Sequence, residues 1–290
     1  VKFGRWYEIR IKTPSPNSDL ITITPPISAI IDVDRAARAS VNNCKITLYN
    51  LKESTRNKIY RDVFDFDKYW QMIIVAGYGN SELYEIFRGN IQTAFSYHQG
   101  TEWITEIEGY DAAYSIQNGF INETVTAGTP KLDIMKRVVH SMPGLIDGFF
   151  GRPSQGESQR GQVLFGASKG VMDTLTDNRF YIDSETAYVM DDDEVIGGDA
   201  FIVGDPDDPN NGGLFTTPKR REEYMEVETL FSPEIRMYYV TEIHSMDKRY
   251  DGQYKTIGVK HSVTFSGATC GDARTSLSLS GGKVFNRLAQ

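Results

Sequence analysis

The sharpest chemical motif in the 290-residue chain is Gly166-Ala167-Ser168-Lys169-Gly170. It matches the G-x-S-x-G turn that raises a serine nucleophile between a strand and a helix, and it follows the apolar run "QVLF". A serine held there is activated by a histidine that an aspartate orients, and His244 and His261 follow it in the required chain order. The fold that carries such a turn needs a long alternation of strands and helices, whereas most of this chain reads as β. Ser168 is therefore expected as the N-cap of the next helix, with the glycines as loop residues. The alternative is a serine hydrolase or cell-wall-degrading enzyme that uses Ser168 or a carboxylate pair invisible in sequence.

Metal chemistry is the next candidate. The runs "MDDDE" (190–194) and "GDPDDPNNGG" (204–213) supply oxygen ligands of the kind calcium takes. The EF-hand spacing fails, because the fifth position counted from Asp205 is Pro209. Both runs are expected as solvated acidic loops. The histidines at 98, 140, 244 and 261 have no H-x-x-x-H spacing and no cysteine partnership, so they read as surface or satisfied core groups. Gly77-Tyr78-Gly79 lacks the third glycine of a dinucleotide fingerprint, and no Walker loop occurs. The expectation is a protein with no catalytic residue, no cofactor and no metal.

The elements around these residues explain more than the residues do. In "KITLYNLKESTRNKI" (45–59), Ile46 and Leu48 point one way and Thr47 and Tyr49 the other, as a strand with unlike faces requires. Asn50 breaks the alternation, and Ser54 or Thr55 is expected to cap a helical turn carrying Arg56, Asn57 and Lys58. In "TEWITEIE", Glu102, Glu106 and Glu108 share a face with Ile104, opposite Trp103, Thr105 and Ile107.

Composition narrows the function class. Net charge is −8, from 31 basic and 39 acidic residues, which opposes gripping a phosphate backbone. A wall along which DNA must slide without sticking should be neutral or negative. No apolar run approaches the ~20 residues of a membrane span. The opening "VKFGRWYEIRIKT" reads as a strand rather than a secretory leader, and two cysteines far apart, Cys44 and Cys270, suit bystander thiols in a reducing cytoplasm.

Five segments follow. Residues 1–119 are mostly β, with strands at "RWYEIRIKT", "DLITITP", "CKITLYNL", "YWQMIIVAGY", "LYEIFRGNIQTAFSYHQG" and "TEWITEIEGY". Residues 120–190 are a small α/β module with two helices, one entered at Thr129-Pro130 and one at Ser168, and a hairpin "RFYID", "SET", "AYVMD". Residues 191–225 are an acidic, low-order insertion, 226–282 are β again, and 283–290 are a tail. The second β region echoes the first in order. "TLYNL" (47–51) is answered by "TLFSP" (229–233), "YWQMIIVAG" by "IRMYYVTEI", "YEIFRGNIQTAFS" by "YKTIGVKHSVTFSG", and "TEWITEIE" by "TSLSLS".

Several of these stretches, "KITLYNLKESTRNKIY", "IIVAGYG", "LYEIFRGNIQTAFSYHQGTEWITEIEGYD" and "GQYKTIGVKHS", resemble the baseplate hub proteins of tailed bacteriophages, from Mu-like contractile tails to the tail tips of long non-contractile ones. The similarity covers 1–190 and 226–267 and departs at 191–225 and in the final segment. The resemblance implies a mainly β fold with an α/β insert, two tube-like β-barrel domains flanking the two-helix module. It implies a homotrimer whose six barrels join a hexameric tail tube to a trimeric spike or central fibre. It further implies contacts with other baseplate proteins and the tape measure protein, transient passage of DNA, and a place in the virion after assembly in the host cytoplasm. Glu102, Glu106 and Glu108 become candidates for the channel wall, and Arg56, Asn57 and Lys58 for contacts between subunits. The equivalent hub of a bacterial secretion spike resembles the same fold, but fusion to the spike normally makes such chains longer.

Overall fold

The computed structural model describes residues 4–14, 20–37, 41–64, 69–79, 82–204, 213–267, 271–281 and 285–288. The chain is mainly β with an α/β insert, and it divides into two compact units: Val1–Asp111 with Asp199–Gly282, and Ala112–Gly198 with Lys283–Gln290. Most of the acidic run at 204–213, Cys270, and parts of the tail lie outside the described residues.

The first unit begins with β1 (Arg5–Lys12), β2 (Leu20–Ile23), β3 (Ala29–Ala36), β4 (Asn43–Tyr49), α1 (Glu53–Ile59), β5 (Trp70–Tyr78), β6 (Leu83–Gln99) and β7 (Glu102–Tyr110). In the second unit come α2 (Ala113–Asn118), β8 (Phe120–Val125), α3 (Lys131–His140), β9 (Ile146–Phe150), β10 (Gln162–Ala167), α4 (Ser168–Thr176), β11 (Phe180–Asp183), β12 (Thr186–Val189) and β13 (Glu194–Ile196). The chain then returns to the first unit with β14 (Phe201–Gly204), β15 (Lys219–Arg220), β16 (Met225–Leu230), β17 (Val240–His244), β18 (Gly252–Phe265) and β19 (Ala273–Ser280), and ends in the second with β20 (Asn286–Leu288).

Thirteen strands of the first unit form one sheet, in the order β15-β16-β19-β18-β3-β4-β7-β6-β5-β1-β2, with β17 on β18 and β14 on β17. Strand alternation sets its two faces. Ile31 and Val33, Cys44, Ile46 and Leu48, and Thr105 and Ile107 turn inward, where they meet Tyr7, Ile9, Met72, Ile74 and Phe87 in one apolar core. Residues between them face solvent.

A four-strand order occurs twice. The run β4-β7-β6-β5 is matched by β16-β19-β18-β17, antiparallel at every step. Each long strand carries a one-residue bulge, between Ile91 and Thr93 in β6 and between Thr256 and Gly258 in β18. Three residues past each bulge the ladders meet at the same kind of pair: Ser96 faces Thr105, and His261 faces Thr275. Propagated through the registers, this match sets Leu48 against Thr229, whereas the letter-by-letter echo sets Thr47 there. The two β regions meet edge to edge, because β18 pairs along its C-terminal half with β3, from Gly258↔Ala36 to Phe265↔Ala29.

The step out of β4 is a left-handed turn. Asn50 has φ 57°, a region that asparagine tolerates better than most residues. Its backbone N–H donates to the Trp103 carbonyl (2.8 Å), and its Oδ1 accepts the Trp103 N–H (3.0 Å). The helix that follows is capped at Lys52 without a side-chain bond, so Ser54 and Thr55 lie inside it and neither caps it. Leu51 and Ile59 anchor it in the core.

In the second unit α3 lays Ile134, Met135, Val138 and Val139 against a core that includes Met172 of α4, with the short α2 as a third helix. Pro130 flanks α3 at the cap position, one residue before the first helical one. β8 pairs with β10, the expected hairpin is β11-β12 with β9 alongside, and β13 pairs with β20. The stretch 191–225, expected to be low in order, therefore contributes β13, β14 and β15.

Candidate functional site

Each enzyme-like feature resolves into structure. Ser168 is the first residue of α4, the cap position is Ala167, and no side chain caps the helix. Ser168 is fully buried, so the expected N-cap is replaced by an internal hydrogen bond. The Ser141 hydroxyl donates to the Val138 carbonyl (2.6 Å), so across the 2.7 Å gap to Ser141 it is Ser168 that donates. A serine so enclosed is not presented to a substrate. His244 bonds Glu242 (2.8 Å), and that bond, with one from Gln253, holds the Glu242 carboxyl below its ordinary range. His261 is fully buried against Thr275 (2.9 Å), and burial, reinforced by the Arg35 charge, pushes its pKa well below the ordinary value. His140 faces Asp147 (3.2 Å), and His98 packs on the Trp103 ring (5.3 Å).

The acidic run 190–194, expected as a solvated loop, is a clamp instead. Arg152 pairs with Asp191 (3.3 Å), Asp193 and Glu194 (3.6 Å), and Arg179 pairs with Asp191 (3.1 Å). Glu194 is buried and accepts the backbone N–H groups of Arg152 (2.8 Å) and Asp191 (2.7 Å). Burying a carboxylate requires such partners, and here they are a guanidinium and two amides. Among the described residues no group of three or more His, Cys, Asp and Glu side chains is arranged to hold a metal ion. Cys44 is buried, and burial raises its thiol pKa, which suits a packed group rather than a reactive one.

What remains is a surface. On the solvent side of the sheet, Glu108 sits across from Lys45, and Lys45 across from Asp32. Lys45 Nζ lies between Glu106 (3.8 Å) and Glu108 (4.0 Å). The Tyr97 hydroxyl donates to Glu106 (2.8 Å), which raises the Tyr97 pKa. Farther across, Ser262 donates to Asp32 (2.5 Å) and Lys260 pairs with Asp34 (3.7 Å). Glu106 and Glu108 thus share a mixed-charge face, with Glu102 exposed at its end. Lys45, Asp32 and Tyr97 belong to that face and were missed in sequence; the alternation of Ile31 and Val33 with Asp32 and Asp34 was the available signal. Of the step residues, the Arg56 guanidinium stacks over the Trp103 ring at 3.8 Å, while Asn57 and Lys58 are exposed. Among the described residues no helix is long and apolar enough to cross a membrane.

This fold recurs in solved tail proteins. The tail protein of Neisseria meningitidis MC58 superposes with a TM-score of 0.62 at 8% identity, over 96% of this chain and 97% of that one. The 43 kDa tail protein of prophage MuSo2 from Shewanella oneidensis gives 0.58 at 9%, over 94% and 96%. The E. coli c3393 protein, a component of the type VI secretion system with structural similarity to T4 bacteriophage tail proteins gp27 and gp5, gives 0.58 at 8%, over 96% and 79%. At such identities the likeness is one of fold. No curated protein sequence matches the chain. The family Baseplate hub gp41 matches residues 21–264, and the chain belongs to that family.

Proposed function

We propose that this baseplate hub protein works as a homotrimer with pseudo-sixfold symmetry, joining a hexameric tail tube to a trimeric spike or central fibre. The observation that carries the reading is the repeated order β4-β7-β6-β5 and β16-β19-β18-β17. A threefold object matches a sixfold one only if each subunit offers two near-equivalent surfaces, and two copies of one strand order supply them. Residues 1–119 and 226–282 act as the two tube-like barrel domains, with 120–190 as the module between them in sequence, β14 and β15 of the 191–225 stretch added to the sheet of the barrels, and 283–290 as a tail. The outer sheet face with Glu102, Glu106 and Glu108 lines the channel through which DNA is ejected. Its charges, balanced toward the acidic, favour passage over adhesion, in keeping with the chain's net charge of −8. Asn57 and Lys58 contact a neighbouring subunit, with Arg56 holding their helix against Trp103. The role is structural and non-enzymatic, in the virion tail after assembly in the host cytoplasm, beside the tape measure and other baseplate proteins.

The test is the molar mass of the purified chain by light scattering, alone and mixed with tail tube protein. Three chains per particle, capping tube ends in electron micrographs, is the expected result. A single-chain or six-chain mass in both conditions overturns the reading.

A further inference from the structure

Within one chain, the edge of β18 beyond its bulge is occupied by β3, with His261 opposite Val33 and Ser262 opposite Asp32. Among the described residues no strand occupies the matching edge of β6 past Ala94, although α1 packs against β6. Ala94 exchanges both backbone hydrogen bonds with Arg61 (2.9 Å each), so Ser96 and His98 direct their N–H and C=O groups the same way. Phe95 and Tyr97 lie beside that edge, 44% and 37% exposed and stacked at 6.1 Å, on a face that is otherwise polar.

The strand to fill it is the counterpart of β3. β3 pairs with β4 through Asp32↔Lys45, and β15 pairs with β16 through Lys219↔Glu226. Lys45 and Glu226 are equivalent because they face Glu108 and Ser278, each three residues past the matched threonines. Lys219 therefore stands where Asp32 stands, and Arg220 where Val33 stands. β15 is the terminal strand of the sheet, exposed and without a neighbour on its outer side among the described residues.

We propose that residues 219–221 of a second copy of this chain add to the edge of β6 past Ala94 as an antiparallel strand, Arg220 opposite Ser96 and Lys219 opposite Tyr97. The proposal rests on the trimer reading and says which edges close the ring. Charge agrees with the register. Inside the chain Asp32 meets the Ser262 hydroxyl (2.5 Å); between chains Lys219 meets the Tyr97 hydroxyl and the Glu106 carboxylate bonded to it. Lysine on a sheet edge commonly serves to block such pairing; here the opposing edge carries the complementary charge.

A chain with Tyr97→Cys, Lys219→Cys and Cys270→Ser is mildly oxidised and run without reductant. Tyr97 and Lys219 form a non-hydrogen-bonded pair, with Cα atoms about 4.5 Å apart, inside disulfide range. A covalent trimer is expected, with cross-linking at least about tenfold slower for Tyr97→Cys with Arg221→Cys, whose sulfurs lie out of register. As a second measurement, Lys219→Glu weakens association about tenfold or more and Glu106→Lys added to it restores binding. A light-scattering trimer that shows neither effect overturns the strand junction and leaves the trimer standing. A single-chain mass at every concentration overturns both.

Discussion

The two repeats leave their first strands through the same hydrogen bond made by opposite residues. In the first, the Asn50 N–H donates to Trp103; in the second, the Phe231 N–H donates to Ala273 (3.1 Å). The aromatic ring has changed sides. In the first repeat it stands on the partner strand, where Arg56 of α1 stacks on it. In the second it stands on the exit residue and packs inward, edge-on to His261 (5.5 Å) and Phe265 (6.3 Å) and 6.0 Å from Tyr78. The first link carries a helix, whereas residues 231–239 carry only turns. One backbone geometry therefore serves two ends. The first repeat displays its exit at the surface, and the second feeds its exit into the core that both share.

Phe231→Ala should show the largest effect. The ring is fully buried at the meeting of three aromatic neighbours, and its loss leaves a cavity costing about 3–5 kcal/mol, read as a lower denaturant midpoint at unchanged slope. A cost under 1 kcal/mol would show that the second exit is not part of the core. Burial also holds the Tyr78 phenol, which donates to the Phe231 carbonyl (2.7 Å), up to about 12.

The paired threonines separate the repeats next. Thr105 meets Ser96 (2.9 Å), which does not titrate, and Thr275 meets His261, which does. His261 is held neutral in the folded state, with its pKa well below 6.5, while the unfolded chain takes up a proton as pH falls through 6.5. Its contribution is constant above pH 6.5 and stability is lost below it, at roughly 1.4 kcal/mol per pH unit until the folded pKa is reached. Between pH 7.5 and 5 the wild-type chain should lose more stability than His261→Gln. Parallel pH profiles for the two chains would mean that His261 is accessible to protons in the fold.

Much of this contrast was legible in sequence, and the reasons for the rest are physical. β1, β4 to β7 and β16 to β19 announce themselves by alternation, because one face of each meets a core. β3 alternates over Ile31 to Asp34 but is harder to read, since its next inward position is Arg35, and a buried arginine cuts the apolar pattern short on the very strand that joins the repeats. The repeat itself was audible as an echo but out of register, by one residue at β4 and by five at β6, where the letters set Ser96 against Ser266 and the ladders set it against His261, because pairing partners and not letters fix the count. Ser168 looked like a cap because its partner Ser141 sits 27 residues earlier, and the acidic run looked solvated because Arg152 lies about 40 residues away. Local pattern carries the strands; contacts at long separation carry the site.

The exit of the first repeat should be cheaper to disturb, in two grades. Asn50→Ala loses the bond from Oδ1 to the Trp103 N–H and leaves an alanine at φ 57°, a cost of about 1–2 kcal/mol. Asn50→Gly keeps the turn and should recover the strain part alone. Arg56→Ala removes a half-exposed stack worth about 0.5–1 kcal/mol, the smallest effect here. That modest figure makes Arg56 the useful probe, since the proposed subunit contact and the internal stack predict different readouts. If Arg56 serves only Trp103, the variant unfolds slightly earlier and assembles with unchanged affinity. If its helix also meets a neighbouring chain, trimer formation weakens by more than the loss in monomer stability, and Asn57→Ala, which leaves the stack alone, weakens it too. Chemical denaturation and concentration-dependent light scattering on the same preparations separate the two.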